Sequence, residues 1–71
     1  MVKVNERAFA ELMKEQSLTG AKLARRLGVS RACVSRILRG QRQPGSKFLS
    51  SFKTAFPQHS LEYFFTFNVT D

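Results

Sequence analysis

An arginine side chain offers five N–H donors in a fixed planar fork that matches guanine edges, phosphates and carboxylates. This sequence concentrates that chemistry in one stretch. Between Glu15 and Glu62 there is no acidic residue, yet nine basic ones fall there: Lys22, Arg25, Arg26, Arg31, Arg36, Arg39, Arg42, Lys47 and Lys53. A surface shaped only for solubility interleaves its charge signs, so an acid-free middle points to an external polyanion that offsets the repulsion. Nucleic acid is the leading candidate, ahead of a merely basic soluble domain.

Other chemistries lack their parts. The one cysteine, Cys33, allows no internal disulfide, and with one histidine, His59, it does not make up a metal site. No Ser, Asp, Glu or Cys constellation gathers around His59, which reads as a surface or capping residue, so no catalytic residue, metal or cofactor is expected. Cys33 reads as a small packing residue on a helix flank before a redox-sensing thiol. Phe48, Phe52 and Phe56 could stack bases, but their spacing of four puts them on one helix face, the signature of a core. No small-molecule ligand is evident.

The elements that must position the arginines follow from caps and apolar spacing. Asn5 caps a helix over about 6–16, with Phe9, Leu12 and Met13 on one face; Thr19 opens a second over about 20–27, with Leu23 and Leu27, closed by Gly28. Ser30 opens a third over about 31–39, with Val34, Ile37 and Leu38, stopping at Gly40. After the Gln41–Gly45 loop, Phe48, Leu49, Phe52 and Phe56 mark a fourth over about 46–56, ended by Pro57. A short fifth over about 60–66 starts at Ser60, and the alternation at Phe67 and Val69 permits a strand without requiring one. At 71 residues, 42% hydrophobic with seven Phe, the chain is expected to fold as one all-α domain over residues 1–71. No apolar run approaches a membrane span and the start carries no secretory pattern, so a cytoplasmic location is expected.

Two short helices joined by a turn of about four residues make a helix-turn-helix over about 19–39. Ala24 is small where the helices cross, Gly28 supplies positive φ, Val29 plugs the turn, and Val34 with Ile37 packs onto Leu23 and Leu27. With that stripe inward, Ala32, Ser35, Arg36 and Arg39 point outward and Arg31 lies at the exposed first turn. Arg pairs bidentately with guanine O6 and N7, Ser bonds donors or acceptors, and Ala sits against a thymine methyl. Ser30, Arg39 and Arg42, at or past the helix ends, suit phosphates.

The stretch Leu18–Gly40, with its Leu-Ala-x-x-Leu-Gly-Val-Ser-x-x-x-Val-Ser-Arg-Ile-x-x-Gly core followed by Arg42 and Pro44, resembles the helix-turn-helix of the Cro/phage-repressor type, the xenobiotic-response-element family of bacterial regulators. Including Leu49 and Ser60–Phe65, the resemblance spans about residues 6–65. It implies a compact five-helix domain binding operator DNA as a dimer, its third helix in the major groove. Carried over by position, base contacts fall on Arg31, Ala32, Ser35 and Arg36. Phosphate contacts fall on Thr19, Gly20, Lys22, Ser30, Arg39 and Arg42. The chain departs from the family at Gly20, where Gln is frequent, and at Phe56-Pro57-Gln58-His59, where a Leu-Gly turn one residue shorter is usual.

Tyr63, Phe64, Phe65 and Phe67 cannot all face one small core, so part of 61–69 is expected to be exposed and to carry self-association; burial against the first helix is the competing reading. The functional expectation is sequence-specific binding of double-stranded DNA by a transcriptional regulator, a repressor on a palindromic operator. The alternatives are an antitoxin-like autoregulator whose aromatic end binds a partner protein, or the DNA-binding module of a longer DNA-processing protein. An enzyme in its own right is not expected.

Overall fold

The computed structural model describes residues 2–67. The side-chain oxygens of Asn5, Thr19, Ser30 and Ser60 accept the backbone N–H groups of Ala8, Lys22, Cys33 and Glu62 at 3.2, 3.2, 3.0 and 3.1 Å. Each satisfies a donor that a helix start leaves free. These caps open α1 (Glu6–Glu15), α2 (Gly20–Leu27), α3 (Arg31–Leu38) and α5 (Leu61–Phe64), while α4 (Ser46–Ala55) begins after Gly45 without a side-chain cap.

Three helices end in the same way. Past α2, Gly28 N–H donates to Arg25 O at 3.2 Å and Val29 N–H to Ala24 O at 3.0 Å, the crossed pair of a Schellman turn. The same pair closes α3 (Gly40 to Ile37 O, 3.1 Å; Gln41 to Arg36 O, 2.8 Å) and α1 (Ser17 to Lys14 O, 3.3 Å; Leu18 to Met13 O, 2.7 Å). The turn needs a left-handed residue, supplied by Gly28 at φ 69°, Gly40 at φ 76° and, against the usual preference, Ser17 at φ 53°.

The all-α expectation needs one correction. β1 (Val2–Val4) and β2 (Phe65–Phe67) form a two-stranded antiparallel sheet pairing Val2 with Phe67, Lys3 with Thr66 and Val4 with Phe65. The fifth helix therefore ends at Phe64, two residues before its expected end. β-Branched valines at alternate positions find a partner in the Phe65-x-Phe67 alternation, and that pairing competes successfully with another helical turn. Opposed residues share a face, so Val4 and Phe65 point together toward the core.

That core is one cluster of thirteen buried residues drawn from every helix and from β2. The Phe9 ring meets Phe52, Phe64 and Phe65 edge-on, with centroids 5.4, 5.1 and 5.5 Å apart, and Phe52 lies 4.9 Å from Phe64. Such pairs contribute about 0.5–1.5 kcal/mol each beyond burial. Phe48, Phe52 and Phe56 are core residues, as their spacing predicts. At the aromatic end Phe64 and Phe65 are buried while Tyr63 and Phe67 remain 56% and 44% exposed; residues 68 and 69 of the 61–69 segment lie outside the described residues. His59 is half-buried, its ring 5.3 Å from Phe64, and Ser60, not His59, is the cap.

Candidate nucleic-acid interface

The helix-turn-helix is built by α2 and α3. Leu23, Ala24 and Leu27 on α2 and Val34 and Ile37 on α3 are all buried, and Val29 packs half-buried over the joint. With that stripe fixed, α3 can present only its other sides to solvent. Arg31, Ala32, Arg36 and Arg39 are exposed and Ser35 is half-buried.

Two adjoining sides of α3 carry these groups. Arg31, Ser35 and Arg39, spaced by four, line a groove of about 250 Å³ with Val34, Leu38 and, from the start of α2, Gly20. Ala32 and Arg36 stand on the neighbouring side. Thr19 and Lys22 are exposed at the first turn of α2, and Ser30 at the cap of α3. A Cβ at Gly20 would meet nothing within 4 Å, so packing does not require glycine there and the groove stays open at that end.

Arg42 is placed apart from that groove, in the α3–α4 turn, yet it is bonded to α3. The backbone N–H groups of Gln41 and Arg42 both donate to the Arg36 carbonyl, at 2.8 and 3.3 Å. Arg36, whose side chain is exposed on α3, thus anchors through its carbonyl the turn that carries Arg42. Lys47, unassigned by sequence reasoning, lines a small cavity with Arg42 and Cys33. Its position in the first turn of α4, directly after the breaker loop, was the available signal. Arg26 is used differently: its guanidinium lies 4.9 Å from the centre of the Phe56 ring, over the core.

The acids lie away from the groove on α3, though Glu6 lines a cleft with Arg42. Among the described residues they are Glu6, Glu11 and Glu15 on α1 and Glu62 on α5. The Glu11 carboxylate accepts the Tyr63 hydroxyl at 3.2 Å, and its negative charge, then that hydrogen bond, holds the Tyr63 phenol above its ordinary pKa.

A family model for helix-turn-helix proteins matches residues 9–53. The chain belongs to the Cro/phage-repressor-type helix-turn-helix family. Its members are DNA-binding transcription regulators. The match runs from within α1 to Lys53 and takes in all of α2 and α3, whereas β1, α5 and β2 lie outside it. No curated protein and no solved structure matches the chain. Among the described residues no helix is long and apolar enough to cross a membrane. No group of three or more His, Cys, Asp or Glu side chains among them could hold a metal ion.

Proposed function

We propose that this helix-turn-helix protein binds double-stranded DNA sequence-specifically as a homodimer on a palindromic operator and represses by occupying it. Arg31, Ala32, Ser35 and Arg36 read base edges in the major groove, and Thr19, Gly20, Lys22, Ser30, Arg39 and Arg42 hold the flanking phosphates. The observation that carries the reading is the outward set on α3, free of any acidic residue from Glu15 to Glu62. Occupancy suffices for repression and needs no surface for recruiting polymerase. The exposed Tyr63 and Phe67, outside the family match, support placing self-association within 61–69.

Selection of bound sites from random DNA tests the proposal directly. The expected product is a two-fold symmetric site with half-sites about one helical turn apart. A selected site without two-fold symmetry, together with a strictly monomeric protein in sedimentation with and without that site, would reject the dimer. No enrichment at all would reject sequence-specific reading.

A further inference from the structure

The two-stranded sheet leaves an edge that the DNA-reading role does not use. Asn5 N–H donates to Phe64 O at 2.8 Å directly across the end of the sheet, which puts Asn5 and Phe64 at a hydrogen-bonding position of the ladder. In antiparallel alternation the next such pair is Lys3–Thr66, so the backbone N–H and C=O groups of Val2 and Val4 turn to the free side of β1. The structure agrees at one point: Val2 N–H reaches across that side to Gln43 Oε1 at 3.4 Å.

A cleft of about 430 Å³ runs along this edge. One wall is Val2–Val4; the other is the α3–α4 turn from Gly40 to Pro44, over a floor that includes the buried Ile37. Its charged residues are Lys3, Arg42 and Glu6, two cations against one carboxylate. The cleft therefore combines main-chain groups at a strand edge, apolar side chains and a net positive charge. An extended peptide satisfies all three, because it can add main-chain hydrogen bonds along the edge while alternate side chains enter the cleft.

We propose that the free edge of β1 binds a short, extended, acidic segment of a partner protein, which adds to the sheet as a third strand against the α3–α4 turn. Its carboxylates pair with Lys3 and Arg42, and Val4 supplies main-chain bonding. Because Gln41 and Arg42 hang from the Arg36 carbonyl, the occupant touches the same turn that holds DNA phosphates. Peptide and operator then weaken one another by the same factor, as linkage requires. This last consequence rests on the proposed role of Arg42; the peptide site itself does not.

The test uses the whole chain and a capped pentapeptide, Glu-Val-Glu-Val-Glu, followed by amide NMR without DNA. The expected result is saturable shifts at Val2–Val4 and Gln41–Gln43. A peptide N-methylated at its valines should bind about tenfold or more weakly, since it loses main-chain donors. A Lys-Val-Lys-Val-Lys peptide should not bind, and Lys3→Glu should weaken the acidic peptide while leaving operator affinity nearly intact. Absent or scattered shifts, equal binding of the N-methylated peptide, or equal binding of the lysine peptide would each overturn the proposal. Peptide binding that leaves operator affinity unchanged would keep the strand-edge site and remove Arg42 from the shared role.

Discussion

Replacing Arg36 by Ala separates base reading from charge. The Arg36 side chain is exposed, and what it contributes inside the protein is its carbonyl, which the substitution leaves in place to hold Gln41 and Arg42. Alanine is the better helix former, and the buried stripe of Val34 and Ile37 is untouched, so folding stability should move by no more than about 0.5 kcal/mol. The loss therefore appears in the complex. A bidentate guanidinium–guanine pair discriminates by about 1–3 kcal/mol, which weakens operator binding about 5- to 150-fold per subunit. Fluorescence anisotropy on the selected operator, on a variant altered at one base pair and on unrelated DNA, each over a salt series, measures it. The expected pattern is a large loss on the operator, relaxed preference at one position, little change on unrelated DNA and an unchanged salt slope. Equal loss on all three sequences with a slope lowered by about 0.9 per subunit would place Arg36 on a phosphate and refute the assignment.

Arg39→Ala or Arg42→Ala should weaken binding on every sequence and lower the salt slope by about one per subunit, read in the same titrations. Ser17→Gly should raise stability by up to about 1 kcal/mol in urea unfolding, because Ser17 occupies the left-handed region at φ 53°. Phe52→Ala should destabilise by about 3–5 kcal/mol, since its fully buried ring touches Phe9, Phe56, Phe64 and Phe65. Glu11→Gln should lower the Tyr63 phenol pKa back toward its ordinary value, seen as an earlier phenolate absorbance; Tyr63 is the one tyrosine of the chain. The raised pKa marks a contribution to stability present below pH about 10 and lost as pH rises through the shifted value.

Much of the fold was legible because local chemistry and tertiary packing agree. Asn5, Thr19, Ser30 and Ser60 cap where their side chains predict, and Gly28 and Gly40 end helices in the left-handed conformation that glycine favours. Of the strands, the alternation at Phe67 permitted β2 without requiring it, while β1 was not legible. Val2–Val4 is a short extended segment whose partner strand lies more than sixty positions away, and no local pattern reports such a pairing. The outward set on α3 was legible from periodicity alone. The tie from Arg36 to Gln41 and Arg42 was not, since it depends on how the chain turns after Gly40, and neither was the diversion of Arg26 onto Phe56.

The aromatic cluster has a consequence for the timing of synthesis. The helices α2 and α3, eight residues each, are too short to persist in water without tertiary support, and part of that support is a core closed by Phe64 and Phe65 against Phe9 and Phe52. A nascent chain that has emerged as far as Arg42 already carries every proposed DNA contact but cannot yet hold them in place. DNA competence should therefore arrive late and abruptly, with the residues that complete the cluster, so that a prematurely terminated chain is an unfolded basic segment and not a weak competitor for the operator.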